Sequence, residues 1–334
     1  QRMKGWDVDS SRIVFTNLFG WGCLRNCFCW IMFAALFVPF LFAGSAVTGQ
    51  HVAVRLGGVW GNAVRLTLAA AVLGILVAIF WPESIRSETF FWFFVSGIVG
   101  FGIGDVALFM AYERIGSRLT ILLNLCLAPL FAMAMEWVWL GNGVTLSVFL
   151  CAALILTGVI MAIRPGAKSR QKMERRGNFA VGIFAAVMAG FGQGTGAVIS
   201  RKAEEVAVEM GMHINGISAA FQRVFAGLVF AIVAVALIRW LLPRSHWDSW
   251  GNPFNKKLFP WLLGAALFGP VIGVSFFQWA LQSLESGIVL AIVAMTPIVL
   301  MPLAAIIEGD HPSKLAIVGA VVAVCGVVLL NVWA

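Results

Sequence analysis

Thr296-Pro-Ile-Val-Leu-Met-Pro-Leu-Ala-Ala-Ile-Ile-Glu-Gly-Asp310 is the stretch of sequence that decides the fold. It is an apolar segment with two prolines that ends in an acidic glycine turn, and a second apolar segment follows it. Pro297 and Gly326 are separated by as many residues as Pro129 and Gly158 in the first half of the chain. A separation that recurs in both halves is typical of an internal repeat.

Other features recur in both halves in the same order. Ala43-Gly44 followed by Arg55 in the first half is matched by Ala189-Gly190 followed by Arg201 in the second. Arg65 is matched by Arg223, and the stretch from Ala111 to Ser117 is matched by that from Ala280 to Ser286. Matched features in one order predict two repeats of about half the chain each. Because each half holds an odd number of predicted membrane spans, the second half enters the membrane from the opposite side, which predicts an inverted repeat.

Composition assigns the chain to the membrane. It has 334 residues, of which 61% are hydrophobic and 11% charged, with a mean hydropathy of +0.94, whereas soluble domains average about 45–50% apolar and about 25% charged residues. A helix that spans a bilayer needs about 20 apolar residues. Such segments predict an all-α membrane protein with ten transmembrane helices, at residues 28–53, 63–81, 90–112, 119–140, 144–163, 179–199, 214–238, 258–281, 287–307 and 315–332.

The predicted spans divide the chain into four parts. We expect an N-terminal tail at residues 1–27, a first five-helix repeat at 28–163, a basic linker at 164–178 and a second five-helix repeat at 179–334. A cleaved signal peptide is the alternative interpretation of the first span, because Arg25 precedes an apolar run that ends in small residues. The repeat argues against cleavage, since the counterpart of this span is the sixth, which lies inside the chain.

The end of each half combines a small-residue turn, a helix broken by proline and a last helix that contains glycine. With the paired Arg65 and Arg223, this order resembles the drug/metabolite transporter superfamily, in its ten-helix EamA-type branch. The resemblance implies secondary transport of a small metabolite by alternating access between two inverted five-helix bundles. The first half departs from the pattern, because Leu140 and Asn142 stand where the second half has the acidic Glu308.

Four charged residues fall inside predicted spans, where a charge costs roughly 2.5–3.5 kcal/mol on insertion scales and tends to face the bundle interior. Arg65 and Arg223 lie on equivalent helices, so we expect both at a central cavity, where guanidinium groups bind a carboxylate or phosphate. The alternative is that each arginine reaches an interface or pairs with an acidic residue. Asp105 and Glu136 are candidates for binding a coupling proton, or for pairing with these arginines.

Polar residues and prolines inside the spans complete the candidate site. Gln193, Thr195, Gln278 and Asn124 are expected to give hydrogen bonds to a substrate. Pro129 and Pro297 free backbone carbonyls within their helices and are candidate hinges. The alternating glycines from Gly190 to Gly196 allow either close helix packing or backbone contact with a substrate.

Several other kinds of function are disfavoured by the sequence. The four histidines and six cysteines form no metal-ligand or acid–base motif, so we expect no metal, no cofactor and no enzyme activity. The net charge of +8 lies mostly in loops, where it meets lipid headgroups rather than nucleic acid. A membrane-embedded enzyme and a channel without coupled transport are the alternatives to a transporter. The expected partners are a small-molecule substrate and membrane lipid. We expect the protein itself to be a monomer or a homodimer.

The orientation in the membrane is predicted differently by two arguments. Loops after odd-numbered spans carry more basic residues than the opposite loops, and the positive-inside rule then places both termini outside. The family resemblance implies that both termini lie in the cytoplasm. We expect a multi-pass protein of the cell inner (plasma) membrane with cytoplasmic termini.

Overall fold

Helices make up the fold. The computed structural model describes residues 21–85, 89–140, 146–162, 178–211, 214–243, 250–283, 289 and 292–333, and it contains no strand in these ranges. The helices, in chain order, are α1 Trp21–Leu56, α2 Gly58–Phe80, α3 Thr89–Gly97, α4 Asp105–Leu140, α5 Leu146–Ala162, α6 Phe179–Glu209, α7 Gly216–Leu241, α8 Phe259–Ala266, α9 Ile272–Ser283, α10 Thr296–Ile307 and α11 Lys314–Trp333.

The apolar helices are those of a multi-pass membrane protein. In the described part of the chain, 6 helical stretches are long and apolar enough to cross a membrane, and α5, α10 and α11 are shorter apolar helices. Each of the predicted spans overlaps one of these helices, while the count of ten and the inverted arrangement stay predictions. Residues 1–20 of the predicted tail at 1–27 and residues 164–177 of the predicted linker at 164–178 lie outside the described residues.

One helical stretch contains two predicted spans. Residues Thr89–Trp139 form a single run of 51 residues, but it bends at Gly116, whose φ of 80° and ψ of 170° are not helical. This backbone region is essentially restricted to glycine. Because Gly116 lies between the predicted spans at 90–112 and 119–140, the connection between them is a kink rather than a loop.

Two helices carry a π-helical segment at matching places. Residues Ile98–Gly104 join α3 to α4, and residues Leu267–Val271 join α8 to α9. Each segment begins the same number of residues before the matched Ala111 and Ala280. A π-helical turn interrupts the regular hydrogen-bond ladder and frequently marks a functional site.

Glycines bring helices of the two halves into close contact. A Cβ atom on Gly194 would lie 2.2 Å from the Ala128 carbonyl oxygen of α4, and one on Gly192 would lie 2.6 Å from the Gly104 Cα. The same kind of contact joins α5 to α11, where a Cβ atom on Gly158 would lie 2.3 Å from the Ala323 nitrogen. These distances leave room for no side chain, so the glycines fix how closely the helices approach.

Helices from one half pack mainly against helices from the other. The large contacts are those of α4 with α6, α5 with α11, α2 with α7, and α1 with α8 to α10. The centre of the molecule is therefore enclosed by α1, α2 and α4 from the first half and by α6, α7 and α9 from the second.

Candidate functional site

A cavity lies between the two halves. Its volume is about 70 Å³, several times the roughly 10–15 Å³ that one buried water needs. Most of its wall is apolar, and the polar groups are few. The apolar wall includes Phe42, Phe101, Leu108, Ile121, Leu125, Pro270, Val274 and Phe277, and the polar groups are Ser45, Arg65, Asp105, Tyr112, Asn124, Gln193 and Arg223.

Arg65 is neutralised inside the cavity wall. Its guanidinium donates a hydrogen bond to the Asp105 carboxylate and forms an ion pair with it, and the two side chains are 5% and 12% exposed. The guanidinium carbon also lies 4.7 Å from the centre of the Phe109 ring, within the range of a cation–π contact. Asp105 therefore balances the positive charge of Arg65, and the pair is net neutral.

Arg223 is buried without such a partner. The residue is 3% exposed, and its guanidinium makes no ion pair or hydrogen bond with any side chain in the ranges that the structure describes. Its Nε is buried and unpaired, and its guanidinium carbon lies 5.3 Å from the centre of the Phe101 ring. An unpaired buried cation is costly, and this cost falls when an anion binds beside it.

The two arginines are placed by glycines of the opposite half. A Cβ atom on Gly269 would lie 3.3 Å from Nη1 of Arg65, and a Cβ atom on Gly100 would lie 3.3 Å from Nη2 of Arg223. Gly100 and Gly269 occupy matching places in the two π-helical segments. Each half therefore leaves space, at its π-helical segment, for the arginine of the other half.

Two amide side chains also line the cavity. Asn124 of α4 and Gln193 of α6 both contribute to its wall. The Oδ1 atom of Asn124 is buried and accepts no hydrogen bond, so it is available to accept one from a bound molecule. Of the predicted substrate-binding residues, the structure thus brings Arg65, Arg223, Asn124 and Gln193 together.

The other predicted site residues lie outside the cavity wall. The Thr195 hydroxyl donates to the Phe191 carbonyl oxygen at 2.6 Å, and Gln278 Nε2 donates to Ser200 Oγ at 3.0 Å. The predicted hinges Pro129 and Pro297 lie within α4 and at the start of α10. The roles of these four residues remain predictions.

The two candidate proton-binding residues both have an arginine partner. Asp105 pairs with Arg65 in the cavity wall. Glu136 accepts a hydrogen bond from Arg201 at 2.8 Å, with about a third of its side chain exposed, 32%. An ion pair does not show whether a carboxyl group binds a coupling proton, so this role stays a prediction for both residues.

The sequence analysis missed two polar residues, one of which lines the cavity. Tyr112 is the single tyrosine of the chain, and it lines the cavity at the end of the helix before the Gly116 kink. Glu204 has a buried carboxylate oxygen with no hydrogen-bond partner. Glu204 was missed because the predicted sixth span ends at residue 199, whereas α6 continues to Glu209.

Comparison with known proteins gives a family and a fold. The EamA-like transporter family matches the chain over residues 29–164 and 180–332. A protein of known crystal structure is similar with a TM-score of 0.56 and 16% sequence identity, covering 90% of this chain and 94% of that chain. At this identity the likeness shows a shared fold. No curated protein matches significantly.

Proposed function

The chain belongs to the EamA-like transporter family, of the drug/metabolite transporter type, and from that premise we propose that it moves a small anionic or zwitterionic solute across the cell membrane. The solute binds in the cavity between the two halves and reaches either side by alternating access. The proposal depends on one observation above all, the buried Arg223 guanidinium without an ion-pair partner in the described residues.

The charge balance of the cavity supports a solute with one anionic group. Arg65 and Asp105 together contribute no net charge, whereas Arg223 contributes one positive charge. A carboxylate can form two parallel hydrogen bonds with a guanidinium, and such bonds are about twice as strong as neutral ones. An amino acid, with its single carboxylate, fits this requirement.

The rest of the wall limits the solute further. Phe42, Phe277 and Val274 give it an apolar surface, which favours a small apolar body. The free Oδ1 of Asn124 favours a solute that also donates a hydrogen bond, as an ammonium or amide group does. A cavity of about 70 Å³ is smaller than the roughly 300–1,000 Å³ of most ligand pockets, so it must widen to bind even a small amino acid.

Alternating access is supported by polar contacts that join the halves at both ends of the bundle. At one end, which we call the 117/308 end, the Glu308 carboxylate accepts hydrogen bonds from Ser117, and Arg118 Nε lies 2.6 Å from Asp310 Oδ2. At the opposite end, the 84/222 end, Gln222 Nε2 donates to the Ser84 carbonyl oxygen at 3.2 Å. Separation of the halves at one end opens a path to the cavity only from that side.

The test uses purified protein in proteoliposomes with a panel of radiolabelled amino acids and small monocarboxylates. Wild-type protein is compared with Arg223→Gln, which keeps much of the side-chain length but removes the charge. We expect uptake of at least one solute by the wild type and a loss of about 100-fold or more in the variant, since hydrogen bonds to charged groups contribute about 1.5–3 kcal/mol each and two are formed.

The matched control is Lys202→Gln, because Lys202 is a partly exposed cation of α6 that pairs with the exposed Glu205. It should transport as the wild type does. Both variants are first shown to be folded by their thermal unfolding in detergent. Equal transport by Arg223→Gln and wild type, or transport of cations alone, contradicts the proposal.

A further inference from the structure

Glu204 is an acidic residue of intermediate exposure, with one buried carboxylate oxygen, that the proposed binding of solute does not use. It lies on α6, near the 84/222 end of the bundle, and its Oε1 atom is buried without a hydrogen-bond partner. An ionised carboxylate is stable in such a place only beside a positive charge or in its protonated form. Its surroundings therefore decide whether it holds a proton.

The packing places Glu204 beside the first turns of α7. Its neighbour Ala203 packs in one apolar cluster with Phe93 of α3 and Ala219 of α7. Ala219 lies one helical turn before Arg223. Gly97 of α3 approaches the Arg223 backbone so closely that a Cβ atom on it would lie 2.2 Å from the Arg223 carbonyl oxygen. Glu204 therefore lies on a helix that packs, one residue away at Ala203, against the part of α7 that carries Arg223.

The charges near Glu204 come from few residues. The positive charges that act on it are those of Arg223 and Arg201. Arg201 is already paired with Glu136, which approaches from α4. The segments of α3 and its π-helical continuation that pack against α6 contain no charged residue. Of the two arginines, Arg223 is therefore the one that forms no ion pair with another carboxylate within the described residues.

Arg223 in turn has two places where a negative charge stabilises it. One is the cavity that its side chain lines, and the other is Glu204 of α6, whose charge also acts on it. Arg223 is one cation, and neither place is joined to it by an ion pair in this structure. A negative charge in one place weakens the attraction for a negative charge in the other.

We propose that Glu204 is the proton-binding carboxyl of this transporter, and that its ionised form competes with the anionic group of the solute for Arg223. This inference rests on the proposed function. When Glu204 holds a proton, Arg223 is free to bind the solute anion; when Glu204 loses the proton, its carboxylate attracts Arg223. Proton and anion therefore favour each other's binding, and by linkage the effect is equal in both directions. They cross the membrane together, in the same direction.

The first experiment needs no solute. Protein in lipid nanodiscs is titrated with acid while its infrared carboxyl bands are recorded, for wild type, Glu204→Gln and Glu205→Gln. Glu205 is the matched control, because it is the next residue and its side chain is 55% exposed and paired with Lys202. We expect a titrating band of a buried carboxyl in the wild type and in Glu205→Gln, and its loss in Glu204→Gln.

The second step tests the pairing with Arg223. Removal of the positive charge in Arg223→Gln should move the midpoint of the Glu204 band to higher pH by about one pH unit or more, because the ionised form loses its counter-charge. Arg223→Lys keeps the charge and should leave the midpoint near that of the wild type. It also separates the loss of charge from a general disturbance of packing. A Glu204 band that is absent, or that does not move in Arg223→Gln, overturns the proposal.

Transport measurements then separate this proposal from the one on which it rests. For a solute found by the panel, affinity should fall by about 5–150-fold as pH rises through the titration of the Glu204 band, the usual range of such couplings, and Glu204→Gln should abolish that dependence. Pairing seen by infrared without transport of any solute overturns the proposed function but keeps the Glu204–Arg223 pairing. Pronounced pH dependence that survives in Glu204→Gln keeps the function and removes Glu204 from it.

Discussion

Arg65 and Arg223 occupy matching helices, yet their electrostatic environments differ. Arg65 has Asp105 as a hydrogen-bonded counter-charge, whereas Arg223 has an aromatic ring and an unfilled space beside it. Breaking a buried ion pair leaves a charge without compensation, which destabilises a protein far more than removing both partners does. The neutral pair is therefore expected to hold α2 and α4 together, and the unpaired arginine to bind the solute.

Asp105→Asn tests this division of roles. It leaves Arg65 buried without a counter-charge, and we expect it to lower the free energy of unfolding by about 3–5 kcal/mol. The double variant Asp105→Asn with Arg65→Gln should regain most of that loss, because neither charge remains. Thermal unfolding in detergent of the four proteins forms a double-mutant cycle.

The matched control for this cycle is the pair Glu136 and Arg201, at the edge of the bundle, where both side chains are partly exposed. Its removal should change stability by less than about 1 kcal/mol. Simple additivity of the two effects at Asp105 and Arg65 would count against an ion pair.

The residues of the site were predictable in kind but not in their pairing. A charge inside an apolar span is conspicuous in any sequence, which is why Arg65, Arg223 and Asp105 were identified and line one cavity. Which arginine is neutralised by a carboxylate depends on how two helices pack, because Asp105 lies 40 residues from Arg65 in the sequence. Glu204 escaped notice because it lies beyond the apolar part of its helix, and the structure shows that α6 continues past it to Glu209.

At the scale of single elements, the irregular parts of the helices matter most. The kink at Gly116 divides one helical run of 51 residues into two segments. The new N-terminus after the kink is capped, because Ser117 donates its backbone N–H to Glu308 at 3.3 Å and its hydroxyl to the same carboxylate. A carboxylate at a helix N-terminus is favourable, both as a cap and toward the helix dipole.

Asparagine substitutions at two glycines test the kink. Gly116 has φ 80° and ψ 170°, a region that only glycine adopts readily, so Gly116→Asn should lower the free energy of unfolding by about 1–3 kcal/mol. Gly309 has φ 65° and no atom within 4 Å of an added Cβ. Asparagine tolerates that left-handed conformation, so Gly309→Asn should change stability by no more than about 0.5 kcal/mol. Equal effects of the two substitutions on thermal unfolding would falsify this account.

The kink and the π-helical segments show what a pattern of apolar residues reveals about an element. The predicted spans at 90–112 and 119–140 placed a boundary around Gly116, where the structure has the kink. The π-helical segments were not predicted, since one extra residue per turn leaves the apolar pattern intact and only backbone hydrogen bonds reveal it. Pro270, inside the second segment, was the one local signal of an interrupted ladder.

For the whole molecule, the two ends of the bundle control access to the cavity. The polar contacts at the 117/308 end join the first half to the second, and so does the contact of Gln222 with Ser84 at the other end. A transporter that alternates must break one set while the other holds. Both sets are made in this structure, which is consistent with the small volume of the cavity.

A covalent link at one end should stop this motion. In a variant with its native cysteines replaced, Ser117→Cys and Glu308→Cys are joined by a short thiol-specific cross-linker. We expect uptake into proteoliposomes to fall by at least about tenfold and to return when a cleavable linker is reduced, because the 117/308 end can no longer open. Each single-cysteine variant, treated in the same way, is the control. Undiminished uptake by the linked protein argues against opening at this end.

The whole-molecule prediction from sequence was confirmed for the family and for a multi-pass helical membrane protein. The spacing of motifs along the chain was enough to predict the family. Pro129 and Gly158 in the first half are separated by as many residues as Pro297 and Gly326 in the second. The pairing of helices between halves could not be obtained this way. It depends on close contacts such as that of Gly158 with α11, whose partners are far apart in sequence.

Tyr112 has a practical consequence for following this protein at work. It is the single tyrosine of the chain, it is 3% exposed, and it packs edge-to-face on Phe109, the ring beneath the Arg65 guanidinium. Protein expressed with fluorotyrosine therefore carries one fluorine label, already located in the cavity wall, and needs no added mutation. Its spectrum contains a single resonance from this chain, so the arrival of a solute, the opening of either end and the exchange between these states can each be read from one line.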